Sequence, residues 1–165
     1  MENRVSTREA VKGFSMIELL VVIAIGGILV TVAWARMSTL VPIYRLEGAA
    51  RALAGEIQKA RGRAITENRC FWVHFDTVAK TYQVQSKAAA TLPCGTTGFA
   101  AGAGDGIRKI DDAGSLTVAF SAGGSPVFNP RGTLETSPAP VIVLTNSANA
   151  FRSVYVQPTG RINVQ

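Results

Sequence analysis

The sequence predicts an α+β protein: a long N-terminal helix, transmembrane in its first half and amphipathic in its second, packed on antiparallel β-sheets. Three observations predict it. The run Phe14–Ala35 is apolar over 22 residues with Glu18 as its one formal charge. Between Leu46 and Ile65 apolar residues recur at three- and four-residue steps, the spacing of a single helix face. Beyond Cys70 the step falls to two, and Phe71, Val73 and Phe75 alternate with Trp72 and His74 as in a half-buried strand. The chain divides accordingly into a short charged leader (1–13), a membrane-length helix (14–35), the amphipathic half of the same helix (36–69) and a β-rich head (70–165).

The apolar run comes first. At 1.5 Å per residue it spans roughly 33 Å, enough for a hydrocarbon core of about 30 Å. Arg4, Arg8 and Lys12 precede it against Glu2 and Glu9, and this excess of cations places the N-terminus on the cytoplasmic side and everything after Arg36 outside. An ordinary secretory signal, cleaved after Ala33-Trp34-Ala35, would carry an apolar core of about 7–15 residues without a carboxylate. A plain membrane anchor explains the length and leaves Glu18 unused. Within a spanning helix a carboxylate costs about 2.5–3.5 kcal/mol, so a role for Glu18 is expected.

The residues Gly13-Phe14-Ser15-Met16-Ile17-Glu18, followed by Leu19-Leu-Val-Val-Ile-Ala-Ile-Gly-Gly-Ile-Leu29, resemble the N-terminus of type IV pilins and type II secretion pseudopilins. The resemblance implies a pilin-like fold and a class III leader. A membrane aspartyl peptidase, the prepilin peptidase, would cut after Gly13 and methylate the new amine on Phe14. Glu18, fifth residue of the mature chain, would pair with the N-terminal amine of a neighbouring subunit as the helix leaves membrane lipid for a filament. A carboxylate in apolar surroundings is stabilised by such a partner and costly without one.

The helix is expected to run from about Ser15 to Asn68, burying Leu46, Ala49, Ala50, Leu53, Ile57, Ala60, Ala64 and Ile65. Arg45, Arg51, Glu56, Lys59 and Arg63 fall mostly on other faces. Gly26-Gly27 and Pro42 interrupt it, the glycines by entropy and the proline by its missing N–H. The family commonly has a Gly at the position of Gly27; its usual Pro lies near Ala35, so Pro42 departs from the pattern.

In the head, Phe71–Phe75 and Thr81–Gln85 are expected to form a hairpin about Asp76–Lys80. Gly95–Gly106, rich in Gly, Ala and Thr, is expected as a mobile loop. Further strands are expected at Leu116–Ser121, Pro126–Phe128, Val141–Thr145, Ser153–Gln157 and Arg161–Val164, with turns at Gly123-Gly124, Asn129–Gly132 and Pro158–Gly160. Arg45–Arg51, Gln58–Arg61, Phe128-Asn-Pro-Arg-Gly132 and Val156-Gln-Pro-Thr-Gly-Arg161 resemble the minor pilins FimT and FimU and the minor pseudopilin H. That resemblance implies a subunit at or near a filament tip that primes assembly, with other pilins and the inner-membrane assembly platform as partners.

Cys70 and Cys94 are the only cysteines. An oxidising compartment and an even count favour a disulfide, with two reduced, buried thiols as the alternative. Enzyme chemistry finds no footing: His74 is the single histidine, no Gly-x-Ser-x-Gly elbow or nucleophile–base pair is recognisable, and no cofactor is expected. Gly102-Ala-Gly-Asp-Gly106 lacks the spacing of a dinucleotide loop. A metal site is not expected; Asp105, Asp111 and Asp112 together suit a calcium ion but read better as a solvated loop.

The formal charge is +6, and +5 without the leader. Some FimT proteins are DNA receptors in natural transformation, so the resemblance raises a second function. Arg161, with Arg131 and Arg152, would contact DNA, although Asn163 stands where a second tail arginine is expected. A small basic patch loses affinity with each cation removed. The expectation is thus a non-enzymatic minor pilin or pseudopilin of the bacterial inner membrane, head in the periplasm, that enters a pilus or pseudopilus. DNA binding is the alternative.

Overall fold

A computed structural model describes residues 14–88, 92–102, 105–111 and 114–165, without the side chains of 35, 36, 38 and 39. Helix α1 runs Met16–Thr66, 51 residues, and includes the Gly26-Gly27 pair and Pro42. Ser15 precedes its first turn and Glu18 lies within it. A carboxylate there suits the positive end of the helix dipole. The helix stops two residues before the expected Asn68 for a local reason. Asn68 takes a left-handed conformation (φ 50°), and the Arg69 N–H donates to the Ala64 carbonyl at 3.2 Å. That is the six-to-one closure of a Schellman cap with Asn in place of Gly.

The chain falls into two compact units, Met1–Thr39 and Leu40–Gln165. Among the described residues of the first, Met16–Trp34 is long and apolar enough to cross a membrane, with a mean hydropathy of 2.6 and none of it buried. The second unit holds the core. Leu46, Ala50, Leu53, Ile57, Ala60 and Ala64 form a buried stripe at helical spacing along α1, and they pack on residues of both sheets. Ala49 is only partly buried against that core. Ile65, expected on the same face, is 48% exposed: it lies one step round the helix from Ala64, over a turn rather than over a sheet.

The first sheet orders its strands β3–β2–β1–β6, with β4 also paired to β2. β1 (Phe71–Asp76) and β2 (Thr81–Ser86) are the expected hairpin. Its turn is fixed by Asp76 Oδ1, which accepts from the Val78 and Ala79 N–H groups. β3 (Ala100–Ala101), β4 (Arg108–Lys109) and β6 (Val127–Phe128) are two-residue strands. The second sheet orders β5 (Thr117–Ala122), β7 (Val141–Thr145), β8 (Phe151–Val156) and β9 (Ile162–Val164). All pairings are antiparallel.

β3 and β4 correct the sequence reading. β3 lies inside the segment expected as a mobile loop and pairs with Gln85 and Ser86 of β2, while β4, just beyond it, pairs with Thr81 and Tyr82. The first strand adds two alanines to an open edge, which no hydrophobic period reveals. Elsewhere the differences are small. β8 begins at Phe151, two residues before the expected Ser153, because it pairs with β7 along all five residues Val141–Thr145.

Candidate functional site

Two regions carry the residues singled out by sequence: the start of α1 and the seam between α1 and the head. At the first, Gly13 and the rest of the leader lie outside the described residues. Phe14 is 82% exposed, and Glu18 is exposed in the first turn of α1. Around them Met16, Ile17, Leu19, Leu20 and Val22 are all more than half exposed. Such a surface cannot rest in water: every side of the helix is apolar, which suits lipid or the packed interior of an assembly. Glu18 is the only formal charge on it from Phe14 to Trp34.

The seam is built by two arginines of α1. Arg61 Nε donates to the Gly132 carbonyl at 2.9 Å. Gly132 (φ 75°) closes the turn begun by Asn129, and Gly160 (φ 80°) closes the one begun by Gln157. A side chain on Gly132 would strike Ile65 Cδ1, and one on Gly160 would strike both the Gly132 oxygen and Arg61. The two turns therefore stack against Arg61 and Ile65, and only glycine fits their contact. Buried Asn129 sets the first turn, accepting from the N–H groups of Arg131 and Thr133.

Two residues further on, Arg63 grips the head from the other side. Its Nη1 donates to both oxygens of Asp105 at 2.7 and 2.8 Å, and its Nε to Glu67 at 2.8 Å. The guanidinium also lies 4.7 Å above the Phe71 ring. The hydrogen bond to Asp105, then that to Glu67, pushes its pKa up, so it stays charged at any working pH. Nearby, Glu56 pairs with Lys59 at 2.7 Å and with Arg108 at 3.1 Å. Burial pushes the Tyr82 hydroxyl up, with the charge of Glu56 adding to it.

Cys70 and Cys94 form a disulfide, with Cα atoms 5.8 Å apart. Both are fully buried with Val127, and Trp72 and Phe99 pack against them. The bridge fastens residues 92–102 to the start of β1. Of the acidic trio, Asp105 is held by Arg63, and Asp111 Oδ2 accepts from Ser115 N–H and Oγ. Asp112 lies outside the described residues, among which no group of three metal-ligating side chains occurs.

The three arginines considered for DNA lie at two places in the head. Arg131 and Arg161 are exposed on the two stacked turns, where Arg61, Arg161 and Gln58 border a shallow groove. Arg152 pairs with Leu144 near the start of β8, four residues from Val156, or about 13 Å along the strand.

Comparison with known proteins accounts for this arrangement. Residues 49–160 match the family model described as type II transport protein GspH. The chain belongs to the GspH family. The match thus covers the last third of α1 and nearly all of the head, and residues 9–34 match the prokaryotic N-terminal methylation motif. By structure the chain is similar to the minor pseudopilin EpsH from the type 2 secretion system of Vibrio cholerae: TM-score 0.58, 12% identity, covering 73% of this chain and 96% of that one. It is also similar to the type IV minor pilin FimU of Pseudomonas aeruginosa: TM-score 0.57, 21% identity, covering 73% and 87%. At these identities the likeness establishes the pilin-like fold. No curated protein matches the sequence significantly. The family is one of structural pilins and pseudopilins. None of these matches supports a DNA receptor.

Two features of the site escaped the sequence reading. The Arg61 clasp joins three segments read from sequence as family resemblances and, for two of them, as turns; the glycines ending Asn-Pro-Arg-Gly and Gln-Pro-Thr-Gly were its visible signal. The pairing of Arg63 with Asp105 left no signal, because 42 residues separate the partners.

Proposed function

We infer that this chain is a minor subunit of a type II secretion pseudopilus or type IV pilus, cut by prepilin peptidase between Gly13 and Phe14 and methylated on the Phe14 amine. One observation carries the reading: Glu18, a lone carboxylate on an otherwise apolar, unburied helix, inside a matched N-terminal methylation motif. Before assembly the helix lies in the inner membrane with the leader cytoplasmic, as Arg4, Arg8 and Lys12 favour, and with the head in the periplasm. The assembly platform then draws it out, and Glu18 is neutralised by the Phe14 amine of an adjoining subunit. Because the unpaired carboxylate is costly in lipid, pairing favours the filament over the membrane. The head, fixed to α1 by Arg61 and Arg63, is the part left to meet other subunits.

The test is a Glu18→Ala variant in the native host. It should still be cut and methylated yet remain in the membrane fraction, and the sheared filament fraction should lose it at least about tenfold, the effect of roughly 1.4 kcal/mol. Equal recovery of variant and wild type from filaments would overturn the pairing role.

A further inference from the structure

The second sheet ends at β9, which pairs with β8 alone. The hydrogen bonds of that pair alternate along the strand. Gln165 and Ser153 exchange N–H···O bonds, and the Gln157 N–H donates to the Arg161 carbonyl. In an antiparallel ladder the alternate residues turn their N–H and C=O groups the other way. Ile162 and Val164, opposite Val156 and Val154, therefore present two donors and two acceptors to the side away from β8. No described group bonds to them. Their side chains pack on the core, which holds the edge in place. Exposed edges are usually blunted by charge or proline, and Ile162-Asn163-Val164 has neither.

A groove of about 410 Å³ adjoins this edge, lined by Arg161 and Ile162 and by Ala54, Gly55, Gln58 and Arg61 of α1. No residue of β8 lines it, so it lies on the open side of β9. A β-carbon at Gly55 would meet nothing within 4 Å, which leaves the helix wall open to side chains of an incoming strand. The charge of the groove has one sign. Arg51, Lys59 and Arg63 of α1 each have a carboxylate partner. Arg61 and Arg161, and Arg131 on the adjoining turn, form no ion pair among the described residues, and no carboxylate lines the groove. Arg61 donates through Nε to the Gly132 carbonyl, and its terminal nitrogens remain as donors. A nucleic acid would use these cations but not the backbone edge. An apolar helix would use neither. An extended acidic peptide uses both.

We propose that this groove takes an extended, acidic segment of a partner protein, which adds a strand beside β9 and sets its carboxylates against Arg61, Arg131 and Arg161. Main-chain bonds to Ile162 and Val164 dock the segment, and the arginines select its charge. The inference rests on the head alone and stands whether or not Glu18 pairs with an amine. The test is fluorescence anisotropy on the full chain in neutral detergent micelles, with a short labelled peptide of alternating Glu and Thr as the probe. Saturable binding is expected, weakening as salt screens the arginines. The same peptide N-methylated throughout keeps its charge but cannot join a ladder, and should bind at least about tenfold more weakly. Arg131→Gln combined with Arg161→Gln should weaken the unmodified peptide about fivefold, with near-ultraviolet circular dichroism unchanged. The proposal is overturned if the acidic peptide does not bind, if its N-methylated form binds as well, if the paired variant binds like wild type, or if only duplex DNA binds.

Discussion

Gly132 and Gly160 show how single residues hold the head to its helix. At Gly160 a β-carbon would meet the Gly132 oxygen and would lie 2.5 Å from Arg61 Nε; at Gly132 it would meet the Ile65 side chain, Cδ1 at 2.6 Å and Cγ1 at 2.9 Å, with Arg61 Nε further off at 3.4 Å. Both positions are left-handed, at φ 80° and 75°. Gly160→Ala should therefore destabilise the full chain by about 2–4 kcal/mol, strain and overpacking together. Gly132→Ala should cost about 1–2 kcal/mol, since half-exposed Ile65 can move aside. Urea denaturation in micelles, followed by near-ultraviolet circular dichroism, checks the order; a costlier Gly132→Ala would contradict it. Tyr82 gives a prediction in pH. Burial raises its pKa above 10.0 in the folded chain, so the unfolded state releases that proton first. Its contribution is intact below pH 10 and is lost as pH rises from there toward the folded value. Tyr82→Phe should leave the pH dependence of stability unchanged below pH 10 and flatten its decline above.

At the scale of elements the disulfide is the clearest lever. It closes a loop across a sequence separation of 24, worth roughly 3 kcal/mol in the chain-entropy account. The paired variant Cys70→Ala/Cys94→Ala should lower stability by about 2–4 kcal/mol. Hydrogen exchange should quicken along residues 92–102 and little in β7 and β8; uniform loss of protection would show that the bridge steadies the whole head. Elements also show what the sequence made legible. The stripe from Leu46 to Ala64 and the strands β1, β2, β5 and β7 could be read from periodicity, because each buries one face and period alone then sets the side. β3 and β4 could not: their residues are exposed, and only the open edge of β2 gives them a partner. Ile65 misled for a related reason, since its neighbour is a turn that no helix period encodes. The candidate site was half legible. Glu18 stood out through its apolar surroundings, Phe14 through the resemblance of its motif, and the cysteines through their number, whereas Arg61 and Arg63 take their roles from partners brought together by folding.

The whole molecule joins a helix made for lipid or a packed filament to a head with its own core and bridge. Its surfaces divide the work: α1 up to Trp34 has no charge but Glu18, while the inner half of α1 is fastened by Arg61 and Arg63 to turns and strands that the GspH family model spans. On the proposed pairing, Glu18 needs a free amine close to the start of the helix, so the chain would enter use only after its leader is removed. The intact mass of the chain purified from its native host tests that most directly. The account predicts a chain of residues 14–165 carrying one added methyl group on Phe14. A chain that retains residues 1–13, or one that begins at Arg36, would contradict it.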